Sequence, residues 1–426
     1  MDSFPPFTLD ANARTVMAHV KSERLIAMQR RLAEFGGRPD GGVAREALTP
    51  TELDARSWLC SSFTGTHYRW LIDDAANLFL RRVGSKADLP PVMTGSHIDT
   101  QPVGGWLDGA YGVIAGLEVM LALDDAGIHT RRPLEVAIWT NEEGSRFSPG
   151  AMGSSAFADP VRLAAFLQVR DSTGVGFDMA RDAARQATPN AIAVPLGRPV
   201  HAYLEAHIEQ GPVLEAGGHT LGVVTGIQGV RWFEITVLGS SAHAGTTPLA
   251  DRQDALMTAA RLVTRIGDLA ESRIDHALRV TIGRFEVSLG SINTIADRVV
   301  FTIDLRHPDD MVLEEIETTI RAVIGSNFER CRTDVQSLMR RVPTVFDAKV
   351  LAVLDAAVRE SSVPACCLGS GAFHDAMYLA DVCPSAMLFV PSRKGISHNP
   401  AEDTSEGDLV TGARTLAGAL AELADT

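Results

Sequence analysis

The chain has 426 residues and a formal net charge of −14, which makes a nucleic acid or an anionic membrane surface an unfavourable partner. This length exceeds what one ordinary hydrophobic core holds, so we expect two domains. Hydrophobic residues make up 45% and charged residues 22% of the sequence, as in ordinary globular proteins.

The cysteines and the N-terminal sequence predict a cytoplasmic protein. The five cysteines are an odd number, and no two of them have Cys-x-x-Cys spacing. This pattern is typical of a reducing compartment without a disulfide framework. The first residues lack the basic start and apolar run of a signal peptide, and no stretch reaches the roughly 20 apolar residues of a membrane span.

The first part of the chain alternates between helical and strand patterns. Residues 14–34 have apolar side chains at helical spacing and predict one amphipathic helix. Residues 90–100 predict a buried strand that opens into a polar loop, residues 109–128 a helix rich in small residues, and residues 132–144 a second strand with an acidic end. This alternation indicates an α/β domain with a mainly parallel sheet, in which active groups collect beyond the carboxyl ends of the strands.

The pattern changes near residue 228. Three segments alternate like half-buried strands and two have helical spacing; the strand-like ones are residues 229–245, 278–287 and 297–307, and the helical ones are residues 254–270 and 312–329. This order is typical of a compact α+β domain.

The α/β pattern returns with residues 342–358, so the α+β segment divides the first domain in two. We predict a catalytic domain formed by residues 1–227 and 339–426. The inserted α+β domain is predicted to span residues 228–338. No internal repeat or low-complexity segment is present in the sequence.

Four polar clusters lie at the ends of apolar runs. Their potential ligands are imidazoles and carboxylates: His97, Asp99 and Asp108; Glu142 and Glu143; His207 and Glu209; and His398. Nitrogen and oxygen ligands without thiolate suit zinc, manganese, cobalt or nickel. Each cluster alone also fits an ordinary solvated loop, and the third lacks the second histidine of an H-E-x-x-H motif. Spacing alone therefore leaves both interpretations open.

Five motifs in a fixed order connect this chain to a known family. They are GSHIDT with LDGAYG, NEEGSRF, HIEQGPVLE, SAHAGTTP and GISHNPAE. The sequence resembles the M20-type metallo-aminohydrolases over nearly its whole length. It is most similar to the hydantoinase/carbamoylase branch, which contains N-carbamoyl-L-amino acid hydrolases, β-ureidopropionases and allantoate amidohydrolases. The resemblance implies an α/β di-metal hydrolase domain with an inserted α+β domain for dimerisation or lid closure.

The resemblance also implies a site for two divalent ions, which would be zinc, manganese, cobalt or nickel. The ligands implied for one ion are His97, Asp108 and His207, and those for the other are Asp108, Glu143 and His398. Asp108 would thus bridge the two ions. Asp99 would orient the His97 imidazole through its carboxylate.

The adjacent acidic residues Glu142 and Glu143 would have different roles in this site. By the resemblance, Glu143 is a metal ligand, whereas Glu142 is the general base that takes a proton from water and delivers it to the leaving nitrogen. Because side chains alternate along a strand, we expect the two carboxylates to point to opposite sides without distortion of the backbone.

Other residues are implied in catalysis and substrate binding. By the resemblance, His243 reaches the active site of the partner subunit and stabilises the oxyanion, which requires a homodimer. The implied clamp for the substrate carboxylate consists of Gln210, Asn293 and Arg306. Arg306 can bind a carboxylate with two parallel hydrogen bonds, although a surface ion pair at the strand end is an alternative for it.

The chain departs from the family pattern at one position. Family members often have SGAGHDA, whereas this chain has GSGAFHDA, so Phe373 replaces the usual glycine. His374 remains, and the resemblance implies that it contacts the scissile group or the intermediate. A large ring beside His374 narrows the pocket or shifts the backbone, which leaves the exact substrate open.

We therefore expect a homodimeric, metal-dependent amidohydrolase. It would hydrolyse the carbamoyl carbon–nitrogen bond of an N-carbamoyl-L-amino acid to give the amino acid, carbon dioxide and ammonia. Alternatives are an allantoate amidohydrolase, a β-ureidopropionase, and an N-acyl amino acid hydrolase or peptidase. A catalytically silent binding protein on the same fold is a further alternative, against which the complete set of ligands argues.

Overall fold

The structure is a computed structural model that describes residues 4–273, 277–288, 290–326 and 330–426. Contacts within the chain divide it into two compact units. The first unit consists of Met1–Thr225 and Val345–Thr426, and the second is Gly226–Thr344. The borders expected from the sequence lie after residues 227 and 338.

The strands of the described residues, in chain order, are β1 Tyr68–Ile72, β2 Leu78–Arg82, β3 Val92–His97, β4 Leu134–Trp139, β5 Ile192–Ala193, β6 Ala202–Ile208, β7 Leu221–Ile227, β8 Gly229–Leu238, β9 Ala242–His243, β10 Arg279–Thr281, β11 Phe285–Val287, β12 Thr294–Ile295, β13 Arg298–His307, β14 Arg332–Arg341, β15 Thr344–Val345, β16 Ala365–Ser370 and β17 Ser385–Val390. The α-helices are α1 Ala11–His19, α2 Ser22–Glu34, α3 Pro50–Ser62, α4 Ala110–Asp125, α5 Met152–Ala158, α6 Leu163–Phe166, α7 Phe177–Ala187, α8 Val213–Gly217, α9 Ala255–Glu271, α10 Asp310–Gly325, α11 Ala348–Glu360, α12 Ala376–Leu379 and α13 Glu406–Asp425. Short 3-10 helices span Pro160–Arg162, Leu249–Asp251 and Arg393–Gly395.

A ten-stranded sheet is the centre of the first unit among the described residues. Its strand order is β15-β7-β17-β6-β3-β4-β2-β1-β5, with β16 beside β7. The four neighbours β17, β6, β3 and β4 are parallel, whereas β2 and β7 pair antiparallel with their neighbours β4 and β17. The predicted α/β architecture with a largely parallel central sheet is confirmed. The carboxyl ends of the four parallel strands therefore meet at one edge.

The central strands are covered on both faces. Every residue of β3, β4 and β6 is buried, which explains their nearly continuous apolar sequences. Helix α4, which the sequence predicts correctly, packs on these three strands. Helix α13 packs on α4 and β17 and closes the same layer.

The long N-terminal helix predicted over residues 14–34 is wrong, because the structure has two helices there. Helix α1 ends at His19, and Val20 has an extended backbone. The break exposes the Lys21 amide, which donates a 2.7 Å hydrogen bond to the buried carboxylate of Glu118. A contact with a distant residue thus overrides the local helical pattern.

The second unit is an α+β structure. Strands β10, β13, β8 and β14 form an antiparallel sheet, with β11 also on β13. Helices α9 and α10 bury their apolar faces against this sheet in one hydrophobic cluster. The strand expected over residues 278–287 is two short strands, and the predicted helical residues 327–329 lie outside the described residues. The function of this unit as a dimerisation or lid domain remains a prediction.

Within the part of the chain that the structure describes, no helix is both long enough and apolar enough to cross a membrane.

A buried ion pair connects α3 to the segment that follows β4. Glu52 and Arg56 have side chains that are 1% exposed, and Arg56 Nε lies 2.6 Å from Glu52 Oε1. The guanidinium also donates to the carbonyl oxygen of Ala76 at 2.6 Å and to Thr140 Oγ1 at 3.3 Å. Thr140 lies two positions before Glu142, the first of the two acidic residues of the predicted site.

We expect Arg56→Met to lower the free energy of unfolding by about 3–5 kcal/mol, because it leaves the Glu52 carboxylate buried without a partner. The double variant Glu52→Leu/Arg56→Met should regain much of that loss, since it removes both charges together. Denaturant unfolding of the three chains measures the difference. Equal unfolding midpoints for the single and double variants would contradict the buried-charge explanation.

Candidate active site

The predicted ligands of the first unit meet at the carboxyl edge of the parallel strands. His97 ends β3, His207 is near the end of β6, and Glu142 and Glu143 follow β4. The loop after β17 carries His398. Because these four strands are parallel neighbours, residues far apart in sequence converge at one edge, as the sequence predicts.

Two groups of ligand atoms share Asp108. The buried cluster consists of His97, Asp108 and His207, and the outer cluster consists of Asp108, Glu143 and His398. In the buried cluster, Asp108 Oδ1 lies 3.6 Å from His97 Nε2 and 3.3 Å from His207 Nε2. In the outer cluster, His398 Nε2 lies 3.3 Å from Asp108 Oδ2 and 3.3 Å from Glu143 Oε2. Each oxygen of one carboxylate therefore faces a different cluster.

The histidines of the buried cluster present the nitrogen that a metal ion needs. Nδ1 of His97 lies 2.9 Å from the carbonyl oxygen of Asp99, and Nδ1 of His207 lies 2.8 Å from that of Ile208. These contacts place the ring proton on Nδ1 and leave a lone pair on Nε2. The Nε2 atom of His207 also accepts the amide hydrogen of Gly109 at 3.1 Å, as an unprotonated nitrogen does.

The spacing of the ligand atoms fits divalent ions. Atoms about 2.1 Å from one tetrahedral ion stand about 3.4 Å apart, and the separations between His and carboxylate atoms here are 3.3–3.6 Å. These distances are too long for good hydrogen bonds. The donor set of imidazole and carboxylate also suits the metals expected from the sequence. The residues present therefore fit two divalent ions that share Asp108.

Burial and charge oppose each other at the carboxylates. Burial raises the pKa of Glu142 well above its usual range, and burial together with the charge of Asp108 raises the pKa of Glu143 to about 7. Burial also acts on Asp108, but the close approach of the His207, His398 and His97 imidazoles outweighs it and holds the pKa of that carboxyl well below its usual range. Such crowded carboxylates favour a bound cation.

The adjacent glutamates reach the site by a turn of the backbone. Strand β4 ends at Trp139, and Asn141 has a left-handed backbone with φ of 56°. Glu142 Oε2 then lies 3.4 Å from His97 Nε2, whereas Glu143 Oε2 faces His398. The expected strand alternation without distortion is therefore wrong. The two carboxylates are separated by a strained turn in the loop.

Asp99 makes a different contact from the one expected. Its carboxylate Oδ1 lies 3.8 Å from His97 Nδ1, and its backbone carbonyl makes the short contact with that ring. The carboxylate oxygens instead accept the amide hydrogens of Glu142 at 3.3 Å and Glu143 at 3.2 Å. In the structure, the Asp99 side chain fixes the turn that carries both glutamates.

Gln210 lies against the shared ligand. Its Nε2 donates to Asp108 Oδ2 at 2.8 Å, and its backbone is left-handed with φ of 58°. The backbone amide of Gln210 donates to Ser392 Oγ at 2.9 Å, which holds this conformation. The side chain expected to bind a substrate carboxylate is thus brought to the metal-binding clusters.

His374 lies behind His207. The two ring centroids are 4.6 Å apart, and His374 Nε2 lies 2.9 Å from Ser370 Oγ. Burial, with the neighbouring His207, lowers the pKa of His374 well below its usual range and keeps the ring neutral. The preceding residue, Phe373, is half-buried and packs edge-on against Tyr378 at 5.8 Å.

Sequence reasoning missed Glu205, which supports this part of the site. Its carboxylate is buried and accepts from Ser96 Oγ at 2.7 Å, from the Tyr203 hydroxyl at 3.1 Å and from the Ala376 amide at 2.9 Å. Glu205, His207 and His374 also form a group of potential ligands. An acidic residue two positions before His207 in an otherwise apolar strand was the signal in the sequence, since such residues share one face.

In the second unit, the structure brings two of the predicted residues together. His243 of β9 pairs with Thr294 of β12, and the Asn293 carbonyl accepts the Ala244 amide at 2.9 Å. The exposed His243 accepts the amide hydrogens of Gly245 and Thr246 at Nδ1, at 3.0 Å and 3.2 Å. Because Nδ1 accepts these two amide hydrogens, Nε2 is the ring nitrogen available as a donor.

Arg306 is held by a neighbour on its own strand. Its Nε lies 3.0 Å and 3.1 Å from the two Asp304 carboxylate oxygens, and Nη2 lies 2.9 Å from Oδ2. The pair is about one quarter exposed. The guanidinium plane is therefore fixed by Asp304.

A comparison with protein families identifies the family of this chain. The profile described as peptidase family M20/M25/M40 matches residues 93–422. The chain belongs to the M20/M25/M40 peptidase family. The match begins within β3 and extends to α13, so it includes every predicted metal ligand.

Individual relatives show which members of the M20 family this chain resembles. The N-carbamoyl-L-amino acid amidohydrolase of Geobacillus stearothermophilus is 36% identical over 404 residues, which cover 93% of this chain and 97% of the relative. The allantoate amidohydrolase of Escherichia coli (strain K12) is 34% identical over 405 residues, covering 92% and 96%. The crystal structure of an amidase of the hydantoinase/carbamoylase family from Burkholderia multivorans has a TM-score of 0.84 at 41% identity, covering 96% of this chain and 98% of that chain.

These comparisons confirm the predicted resemblance to M20-type enzymes of the hydantoinase/carbamoylase branch. They also confirm the prediction of a hydrolase that acts on carbon–nitrogen bonds of non-peptide amides.

We expect Asp99→Asn to lower turnover of the metal-loaded M20 enzyme by about 10–100-fold, the usual cost of losing an outer partner of a metal site. An asparagine side chain has only one oxygen that can accept one of the two amide hydrogens. Its NH2 group would face the other backbone amide, which is also a donor, so that hydrogen bond is lost. Steady-state kinetics with metal analysis measures the effect. Asp347→Asn is the control, because Asp347 also accepts two backbone amides, at the N-terminus of α11. Equal turnover for Asp99→Asn and the control variant would contradict the role of Asp99 in fixing the turn that carries both glutamates.

Proposed function

We propose that this M20 enzyme hydrolyses the carbamoyl carbon–nitrogen bond of an N-carbamoyl-L-amino acid, giving the amino acid, carbon dioxide and ammonia. The observation that carries the proposal is the Asp108 carboxylate shared by two ligand clusters, with Glu142 beside them. The name and 36% identity of the Geobacillus stearothermophilus relative support the substrate class.

The two ligand clusters would hold the divalent ions that this reaction needs. His97, Asp108 and His207 would hold one divalent ion, and Asp108, Glu143 and His398 the other. When bound, two such ions acidify water and polarise the substrate carbonyl. Zinc, manganese, cobalt and nickel all suit these ligands.

Glu142 is the general base of the proposed reaction. Its carboxylate accepts a proton from the attacking water and delivers it to the leaving nitrogen. Burial makes this carboxylate a stronger base than an exposed one, and Asp99 fixes its backbone amide. The neighbouring Glu143 carboxylate is held by the Gln101 side chain at 2.8 Å, so it stays oriented as a ligand.

The remaining assignments concern the binding of the substrate and of the oxyanion. We assign Gln210, Asn293 and Arg306 to the substrate carboxylate, and His374 to the scissile group. His243, with its donor at Nε2, stabilises the oxyanion in the active site of the partner subunit of a homodimer. Arg306 already binds one planar carboxylate, that of Asp304, through Nε and Nη2, and a substrate carboxylate would compete for the same donors.

An allantoate amidohydrolase is the second candidate, because the Escherichia coli relative of that name is almost as similar, at 34% identity. Both candidates act on a ureido group and bind a carboxylate, so the proposed site serves either one.

Ammonia release by the manganese- or zinc-loaded enzyme tests the proposal. N-carbamoyl-L-amino acids, N-carbamoyl-β-alanine and allantoate are offered side by side, with an N-acetyl amino acid as the non-ureido control. We expect the fastest ammonia release from an N-carbamoyl-L-amino acid. Faster release from allantoate would select the second candidate, and release of acetate alone would reject both.

We expect Glu142→Gln to retain its metal content and lose at least about 100-fold in turnover, the scale of a lost general base. The amide keeps the shape of the side chain but cannot accept the proton. Elemental analysis and steady-state kinetics check both parts. Full activity in a variant with normal metal content would show that another group is the base.

A further inference from the structure

Glu402 is a buried carboxylate next to the shared ligand, and the function proposed above does not use it. Its residue is 2% exposed and lies four positions after His398. Oε1 accepts the backbone amide hydrogens of Leu107 at 2.9 Å and Asp108 at 3.1 Å. The loop that carries His398 thus holds the main chain of Asp108.

The second oxygen of Glu402 reaches the side chain of Asp108 through Ser397. The Ser397 hydroxyl lies 3.1 Å from Glu402 Oε2 and 2.8 Å from Asp108 Oδ2. Oδ2 is the oxygen that faces His398 in the outer cluster. Glu402 therefore acts on the half of Asp108 that belongs to this cluster.

The chain makes room for this contact at Gly105. A Cβ atom there would lie 2.1 Å from Glu402 Oε1 and 2.5 Å from Glu402 Cβ. Any other residue at this position would push the carboxylate away from the amides it binds. Glycine at position 105 is thus part of the same arrangement.

We propose that Glu402 is a positioning residue that sets the separation between Asp108 and His398, and thereby the affinity of the outer cluster for its metal ion. This inference rests on the proposed two-ion function. The loss of Glu402 should therefore change the metal affinity of the two clusters unequally. The buried cluster uses Asp108 Oδ1 and two histidines, whereas the hydrogen bonds described for Glu402 go to Leu107, Asp108 and Ser397.

Metal titration of the full chain tests the inference without a substrate. Chelator-treated protein is titrated with Zn²⁺ by calorimetry and with Co²⁺ by visible absorption, which reports the ligand geometry. For Glu402→Ala, we expect the outer cluster to lose about 10–100-fold in affinity, the usual effect of removing an outer partner, while the buried cluster keeps its affinity. Glu402→Gln should restore binding to within a few-fold, because its oxygen still accepts both amides and its NH2 group donates to Ser397.

Two further variants separate positioning from a general loss of packing. Glu118→Gln changes another buried carboxylate of the first unit, one that accepts from Lys21 and Arg24, and should leave both metal affinities unchanged. Gly105→Ala displaces Glu402 without removing it and should weaken the outer cluster as Glu402→Ala does. It also supplies the test if Glu402→Ala does not fold.

The outcomes also distinguish this inference from the proposed function. If Glu402→Ala and Gly105→Ala bind two ions as tightly as the unmodified chain, or weaken both clusters equally, the positioning role is overturned. If they lose only the outer ion but the unmodified chain releases no ammonia from any ureido substrate, the inference stands and the proposed function fails. An unmodified chain that binds a single ion overturns both.

Discussion

The site depends on one carboxylate that serves two clusters. Asp108 Oδ1 faces two histidines at 3.3 Å and 3.6 Å, and Oδ2 faces His398 at 3.3 Å. A buried carboxylate is costly unless charges and donors surround it. Here the surrounding donors also fix its position, because Gln210 and Ser397 both reach Oδ2 at 2.8 Å. Both clusters share this group, but each uses a different oxygen, so the position of each oxygen sets the geometry of its own cluster.

Convergence on this carboxylate requires loops that bend back over the sheet edge. The non-glycine residues with a left-handed backbone there include Asn141 at 56°, Gln210 at 58° and His398 at 53°. Each such residue costs about 1–3 kcal/mol, so the surrounding contacts must hold it. The Asn141 side chain donates to the Phe147 carbonyl at 2.8 Å, and the Gln210 amide binds Ser392. Part of the backbone strain of the described residues thus lies where the strands deliver the potential ligands.

The sequence predicted those parts of the structure that depend on local pattern. Apolar runs followed by polar residues located β3, β4 and α4, and the motifs that carry the family resemblance named the potential metal ligands that converge in the first unit. Contacts between distant residues could not be predicted in this way. The break after α1 depends on a partner 97 positions away, the Asp99 contact on one 43 away, and the Glu402 contact on one 295 away. No local pattern encodes those pairs.

The family description includes peptidases, whereas the relatives above are named amidohydrolases, so one fold accommodates different amide-like substrates. The shared carboxylate and its histidines suit any amide-like carbon–nitrogen bond. In the proposed reaction, the amino acid product retains the carboxylate of the substrate, so a very tight clamp would also retain the product. Asp304 already holds Nε and Nη2 of Arg306, so a substrate carboxylate bound to these two atoms would share or displace an existing ion pair. In the proposed reaction, a clamp weakened in this way would orient the substrate and still allow the product to leave.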